Sequence, residues 1–189
     1  MACLTINLQK LHHKFGTGGL FLFFAGSKHL YEMKTYLVMI GRTDNAWLNA
    51  GVDEYYKRIG RYVPFEPIVI QDVKRGAAMP ENVLKEKEGE LILKQISGGD
   101  ILVLLDEKGK QMTSRDFAAF FQKQMLAGIR RLFFVIGGAY GFSDAVYKRA
   151  DFKISLSKMT FSHQMVRLIF AEQLYRAHSI LNNEPYHHD

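Results

Sequence analysis

Cysteine is almost absent from this sequence, because Cys3 is the single one in 189 residues. One cysteine supplies neither a disulfide framework nor a cysteine-rich zinc cluster, so the sequence predicts a cytoplasmic protein. Long apolar runs are lacking too. The run LFLFFAG at residues 20–26 has seven residues, whereas crossing a bilayer takes about 20. We therefore expect no membrane association.

Several motifs of common enzyme classes are also missing. No G-x-S-x-G and no G-K-[ST] occurs, which argues against a nucleophile-elbow hydrolase and against a P-loop. GGAYG at 137–141 is not G-x-G-x-x-G and follows the fourth predicted strand, so a Rossmann dinucleotide site is not indicated. His178, His187 and His188 fit no strong zinc spacing, and no metal is predicted.

Acidic residues are fewer than basic residues in this sequence. The chain has 25 Lys and Arg against 19 Asp and Glu, a formal net charge of +6. This surplus suits a polyanionic partner such as RNA, but the demands of solubility alone explain it equally well.

The first 32 residues differ in character from the rest of the chain. A basic start and a short apolar run are the ingredients of a signal peptide, which is one reading of this segment. However, Met33 opens MKTYLVMIGR, which is typical of a natural start followed at once by a strand. We predict that residues 1–32 are a disordered or non-native extension and that 33–189 form one domain.

From Met33 onward, short apolar runs alternate with amphipathic segments. The predicted strands are 34–40, 66–73, 100–106, 131–138 and 152–157. The predicted helices are 46–62, 80–96, 113–126, 143–150 and 162–182. This alternation predicts an α/β domain with a mainly parallel sheet flanked by helices.

The last predicted helix has an apolar stripe at i, i+3, i+4 spacing. The stripe comprises Val166, Ile169, Phe170, Leu174, Ala177 and Leu181. His163, Arg167, Glu172 and Arg176 lie off it. Glu172 and Arg176 are four residues apart, so a simple helix pair worth a few tenths of a kcal/mol also explains them.

Three predicted strands end in loops rich in small residues. These loops are EKGK after the third strand, GGAYGFS after the fourth and SKMTFSH after the fifth. In open α/β sheets, ligands bind outside the carboxyl ends of the strands. Backbone atoms of these loops can approach a cofactor closely, although the glycines taken alone predict no more than a tight turn.

The order of several stretches resembles a known family over Met33–Asp189. The stretches are KRG (74–76), KEKEGELIL (85–93), LLDEKGKQMTSRDFA (104–118), FVIGGAYGFS (134–143), ISLSKMTFSHQMVRLIFAEQLYRAH (154–178) and PYHH (185–188). Together they resemble the RlmH-type ribosomal RNA large subunit methyltransferases of the SPOUT class.

The resemblance implies a trefoil-knotted α/β fold whose three loops hold S-adenosylmethionine. Carried over by position, the cofactor contacts are Leu105, Gly137, Leu156, Ser157, Lys158, Met159, Thr160 and Phe161. The family usually has proline before the helix histidine, where this chain has Ser162. Serine still caps a helix, although the loop loses one fixed φ angle.

The resemblance also implies a homodimer that methylates N3 of a pseudouridine in 23S rRNA of the assembled 70S ribosome. The tail would then cross the dimer interface and finish the active site. Tyr186 would stack on the base and His187 would accept the N3 proton. Arg176 would stabilise the developing anion. His188 stands where the family often has arginine.

Other residues are given looser roles. His163 and Arg167 would support the cofactor loop or the RNA. The candidate phosphate contacts are Lys57, Arg58, Arg61, Lys74 and Arg75, which also read as a solvated helix face. Two alternatives stay open: a catalytically silent ribosome-associated protein of this fold, and a tRNA methyltransferase of this fold.

Overall fold

Five strands alternate with five helices in the computed structural model, which describes residues 33–73 and 79–187. The strands are β1 (Lys34–Ile40), β2 (Phe65–Ile70), β3 (Ile101–Gln111), β4 (Arg131–Ile136) and β5 (Phe152–Ser155). The helices are α1 (Ala46–Ile59), α2 (Glu81–Leu93), α3 (Ser114–Leu126), α4 (Asp144–Arg149) and α5 (His163–Leu181).

All the strand pairs are parallel, and the sheet order is β2-β1-β4-β3-β5. Pro67 explains in part why β2 lies at an edge, since proline has no N–H for a second ladder. The central strands β4 and β1 are almost continuously apolar, as strands covered on both faces should be.

Successive residues of β4 divide between two cores, because strand side chains alternate between faces. Phe134 packs in the core that also holds Phe121 of α3 and Phe170 of α5. Phe133 and its neighbours form the other core, beneath α2 and α4. The described residues from Met33 onward therefore form a three-layer α/β/α structure.

The helices begin where the capping signals predict. Thr113 and Asp116 form a reciprocal capping box at the start of α3. Ser162 accepts a hydrogen bond from the Met165 N–H at 3.3 Å and so caps α5, as predicted.

Strand β3 is longer than predicted, because the segment EKGK lies inside it. Ile154 of β5 pairs with Leu105 and again with Lys110 of β3. The register between the two strands is therefore interrupted at residues 106–109 of β3. A Cβ on Gly109 would lie 2.5 Å from the carbonyl carbon of Ile154. Only glycine permits this close approach of two backbones.

The predicted fold class, an α/β fold with a mainly parallel sheet flanked by helices, is confirmed. The extension 1–32, with Cys3, lies outside the described residues, as do Lys74, Arg75 and His188. The division into an extension and a domain stays a prediction. Among residues 33–73 and 79–187, no helix has the length and apolarity to span a membrane.

Candidate active site

The loops after β4 and β5, together with residues 105–108 in the irregular part of the neighbouring β3, enclose a cavity of about 570 Å³. This volume lies within the range of small-molecule sites, about 300–1,000 Å³. We call it the loop cavity. Of the predicted cofactor contacts, it is lined by Leu105, Gly137, Leu156, Ser157, Met159, Thr160 and Phe161.

Lys158 is the remaining predicted contact. It is exposed and lies between two lining residues, Ser157 and Met159, without lining the loop cavity itself. Its contact with a cofactor therefore stays a prediction.

The glycine turn after β4 is both a tight turn and a wall of the loop cavity. The Gly141 N–H donates to the Gly138 carbonyl at 3.1 Å, and Gly141 has a φ of +79°. A Cβ on Gly138 would lie 2.4 Å from a carboxylate oxygen of the buried Glu88. Glycine at 138 is therefore required by the close approach of the Glu88 side chain to this turn.

The loop after β5 is held in shape by its own serines. Ser155 donates to the carbonyl of Ser157 at 2.9 Å, and the Ser157 hydroxyl accepts from the Met159 N–H at 2.9 Å. The Met159 and Phe161 side chains are 75% and 41% exposed. Two apolar groups therefore stand in solvent beside the cavity.

Acidic side chains of the loop cavity were missed from the sequence. Asp106 and Glu107 line it, and Asp106 accepts a hydrogen bond from the Tyr147 hydroxyl. Burial, followed by this bond, raises the pKa of Tyr147, which keeps the hydroxyl protonated. The position of Asp106 and Glu107 at the end of an apolar predicted strand was the signal that could have identified them. Sequence spacing gave no indication that Tyr147 lies beside Asp106.

The structure corrects the prediction that Arg167 lies on the polar face of α5 and supports the cofactor loop or the RNA. Its side chain is buried, with an exposure of 1%. Its guanidinium donates to the Ile40 carbonyl at 2.6 Å and to the Thr43 hydroxyl at 2.8 Å. Burial lowers its pKa. Arg167 thus ties α5 to the end of β1 and cannot contact RNA, whereas His163 is exposed and lines the loop cavity.

The three predicted catalytic residues come together at the other end of α5. The Arg176 guanidinium lies over the Tyr186 ring, 4.8 Å from its centroid, and 3.4 Å from His187 Nδ1. We call their surroundings the tail cluster. It comprises Tyr55, Glu172, Tyr175, Arg176, Tyr186 and His187.

Glu172 is the polar centre of the tail cluster. Its Oε1 accepts from Arg176 Nε at 2.9 Å and from the Tyr186 hydroxyl at 3.2 Å. Bonding to Glu172 raises the pKa of Arg176, which is thus a permanent cation. The pair is therefore more than an isolated helix pair, because it also orients Tyr186.

Aromatic contacts complete the tail cluster. Tyr186 meets Tyr175 edge to face, with ring centroids 4.7 Å apart, and its hydroxyl lies 3.2 Å from that of Tyr55. Burial raises the pKa of Tyr186, and the Tyr55 and Glu172 contacts add to the effect. Tyr186 is consequently a neutral, oriented ring.

The loop cavity and the tail cluster lie at opposite ends of α5. Val166 lines the cavity and Arg176 belongs to the cluster, ten residues later. At 1.5 Å of rise per residue this separates them by about 15 Å. Tyr186 and His187 do not line the cavity of their own chain.

No metal centre is evident in the described part of the chain. Across residues 33–73 and 79–187, no three His, Cys, Asp or Glu side chains form a group that could hold a metal ion. His178, one of the histidines considered from the sequence, is buried, stacked on Tyr62 and edge-on to Phe121.

The sequence matches a family of known proteins over nearly the whole described region. The family described as "Predicted SPOUT methyltransferase" matches residues 33–187. A ribosomal RNA large subunit methyltransferase H of Parabacteroides distasonis is 58% identical over 157 residues, which cover 83% of this chain and 100% of that protein. The protein of the same name from Christiangramia forsetii is 58% identical over 82% of this chain and 99% of its own.

A solved structure is similar at a greater distance. The probable methylase family protein from Haemophilus influenzae Rd KW20 aligns over 85% of this chain and 72% of its own, with a TM-score of 0.45 and 10% identity. A likeness at this distance does not bear on the site.

Proposed function

This chain belongs to the SPOUT methyltransferases and, among them, to the ribosomal RNA large subunit methyltransferase H family, and from that premise we propose its reaction. It transfers a methyl group from S-adenosylmethionine to N3 of a pseudouridine in 23S rRNA. Its substrate is the assembled 70S ribosome, which places it in the cytoplasm. The observation that carries the proposal is the pairing of a backbone-walled cavity with a Tyr186–His187–Arg176 cluster.

The loop cavity fits S-adenosylmethionine in size and charge. The donor is cationic, and the carboxylates of Asp106 and Glu107 line the cavity. The bare backbone at Gly137 and Gly138 allows close approach, and Leu105 and Leu156 add apolar surface. When bound, S-adenosylmethionine supplies an electrophilic methyl group. The chain's own part is to orient the donor and to exclude water.

In the acceptor half of the site, Tyr186 holds the base. A pseudouridine withdrawn from its RNA helix can stack on an aromatic ring, a common mode of recognition for unpaired bases. The Tyr186 ring is already fixed by Glu172, Arg176 and Tyr175. Its orientation therefore costs little on binding.

His187 and Arg176 carry the proton chemistry. Attack from N3 requires that its proton be removed, and a neutral imidazole is suited to accept it near neutral pH. The Arg176 guanidinium lies 3.4 Å from His187 Nδ1 and can therefore orient the imidazole ring. The guanidinium then stabilises negative charge on the base.

A homodimer unites the two halves. One chain holds its cavity and its tail about 15 Å apart along α5, which is too far for a methyl transfer. In a two-fold dimer, the tail of each copy can meet the loop cavity of the other. Apolar groups next to the cavity, Met159 at 75% and Phe161 at 41% exposure, suit a covering partner.

The RNA backbone meets the basic face of α1. Arg58 lies over the Tyr175 ring, 5.5 Å from the ring centroid, and so borders the tail cluster. Lys57 and Arg61 are exposed on either side of it in the sequence. Phosphate contacts at these positions would position the RNA without reading its sequence.

Methyl transfer to ribosomes from a strain that lacks the modification tests the function. The full chain should methylate these ribosomes at one pseudouridine. A variant lacking residues 186–189 should keep its cofactor affinity by calorimetry and lose transfer. Normal transfer by the truncated chain would exclude the assigned role of the tail.

The same assay separates the two alternatives. A catalytically silent protein would bind ribosomes and transfer no methyl group. A tRNA methyltransferase would label tRNA and leave the ribosomes unlabelled. Either result would reject the proposal.

A further inference from the structure

The tail begins with a turn that the backbone fixes. Asn183 has a left-handed φ of 54°, the Asn183 N–H donates to the Ile180 carbonyl and the Glu184 N–H to the Ser179 carbonyl at 2.9 Å. This is the paired bonding of a Schellman motif. It reverses the chain at the end of α5, so that residues 184–187 run back towards α1.

A side-chain bond then holds the first residue of the tail. The Tyr62 hydroxyl donates to Glu184 Oε2 at 2.5 Å. Tyr62 lies in the turn after α1, 122 positions from Glu184. Hydrogen bonds to ionised acceptors are about twice as strong as neutral ones.

Tyr62 is itself rigidly placed. Its ring stacks on buried His178 with centroids 5.4 Å apart and lies 6.0 Å from the ring of Tyr175. Burial and the Glu184 contact raise the pKa of Tyr62, so the hydroxyl remains a donor at physiological pH. The Tyr62 hydroxyl is thus held in place by ring contacts that do not involve the tail.

A second tyrosine of the same helix region meets the tail further on. Tyr55 reaches the hydroxyl of Tyr186 at 3.2 Å. Tyr55 and Tyr62 are seven residues apart, which is about two helical turns. The tail therefore contacts α1 at Tyr55 and the turn after α1 at Tyr62, one contact on either side of Pro185.

We propose that Tyr62 and Glu184 are positioning residues that set the orientation of Tyr186 and His187 from outside the reacting groups. The inference rests on the proposed function, in which those two side chains face the base. Glu184 is separated from Tyr186 only by Pro185, whose ring restricts the backbone. Fixing Glu184 therefore limits the directions open to the next two side chains.

Three variants and one control test the proposal. Tyr62→Phe removes the donor, Glu184→Ala removes the acceptor, and Glu184→Gln keeps an amide oxygen that can accept. Tyr56→Phe is the matched control, because it removes a hydroxyl from α1 that contacts the Met39 sulfur at 3.5 Å and not the tail. Two readouts are taken: kcat and KM for ribosome methylation, and hydrogen exchange of the C-terminal peptide without substrate.

Tyr62→Phe and Glu184→Ala should each lower kcat about tenfold, the factor expected from a hydrogen bond to a charged acceptor. The KM for the donor should stay within about twofold, because the loop cavity is untouched. Glu184→Gln should recover most of the loss. The double variant that combines Tyr62→Phe with Glu184→Ala should be no worse than either single variant. Exchange at Tyr186 and His187 should quicken in Tyr62→Phe and not in Tyr56→Phe.

Equal exchange in the two tyrosine variants, or additive losses in the double variant, would overturn the positioning role. A rise in the KM for the methyl donor as large as the fall in kcat would also overturn the positioning role, because it would indicate general damage to the fold. Failure of the proposed function is distinguishable. In that case the wild-type chain methylates no ribosomes, while the exchange comparison still decides whether Tyr62 holds the tail.

Discussion

The loop cavity and the tail cluster are built in opposite ways. The cavity is lined by the loops after β4 and β5 and by the irregular part of β3, with glycines at 137, 138 and 141 in its turn. The tail cluster is made of side chains that contact one another, with Glu172 and Arg176 at its centre. The first presents a shape, and the second presents chemical groups.

In the proposed function, this difference separates cofactor binding from the chemical step. A backbone-walled cavity tolerates most side-chain changes at a distance and fails when its turns cannot form. A side-chain cluster fails when one group is removed, while the fold persists. Variants of the two regions should therefore give different kinetic signatures.

The largest effect is expected at His187. His187→Ala removes the proposed proton acceptor and should lower kcat by about 10²- to 10⁴-fold, the usual worth of a general base. Cofactor affinity measured by calorimetry should be unchanged, because His187 does not line the cavity of its own chain and is not among the predicted cofactor contacts. A matching loss of cofactor affinity would contradict the separation of the two regions.

Mixing inactive chains extends this test to the dimer. Thr160→Trp, at a lining position, should block the cofactor without touching the tail. In a random mixture of His187→Ala and Thr160→Trp chains, half the dimers are mixed and each has one intact site of two. Activity should therefore return to about a quarter of wild type if two-fold related chains share their sites. No return of activity would mean that each chain works alone.

The next effect concerns the backbone near the cavity. Gly109→Ala places a methyl group 2.5–2.7 Å from backbone atoms of Lys153 and Ile154, which cannot yield as a side chain can. The free energy of unfolding should fall by about 3 kcal/mol, as for severe overpacking. Denaturant unfolding measures the loss, and cofactor affinity should fall with it.

Gly98→Ala is the control for this comparison. A Cβ at Gly98 would have no atom within 4 Å, so its effect should stay within about 0.5 kcal/mol. If the two alanine variants unfold alike, the close approach of β3 and β5 is not a constraint.

The smallest expected effect is a pH dependence of the free energy of unfolding that arises from His178. Burial lowers the pKa of His178 from 6.5 to about 4 in the folded chain. Between these values the unfolded chain binds the proton and the folded chain does not, so stability falls as the pH drops from about 6.5 to 4. The full difference corresponds to roughly 3 kcal/mol, reached only at the acid end.

Replacing the histidine should remove this dependence. His178→Phe keeps an aromatic ring beside Tyr62 and Phe121 and should flatten the acid side of the stability curve. His163→Gln, at an exposed position, should keep the wild-type curve. Identical curves for wild type and His178→Phe would show that His178 is not the group responsible.

Much of the fold follows from local pattern. The bounds of β1 match the prediction, and the capping serine and threonine at Ser162 and Thr113 begin their helices as expected. These signals are local, because they depend on residues a few positions apart. The loops after β4 and β5 were placed correctly, since parallel strands end at the same edge. The third predicted loop, EKGK, lies within β3 instead.

The predictions were wrong where contacts with a distant segment determine the structure. Arg167 has the polarity of a surface residue, yet the end of β1 supplies acceptors that let it be buried. Strand β3 continues past its predicted end because β5 pairs with it a second time, beyond Gly109. Tyr147 lines the cavity and donates a hydrogen bond to Asp106, which lies 41 residues away in the sequence. None of these partners is near in sequence.

By itself the sequence determined the alternation of strands and helices, the class of fold and the loops that form the cavity. Apolar periodicity, caps and glycine act over one turn or one strand, and they can be read along the chain. Only the tertiary structure decided that the tail lies on α1 and that Tyr62 meets Glu184. Contacts between segments more than 100 residues apart depend on how the helices pack, which no local pattern encodes.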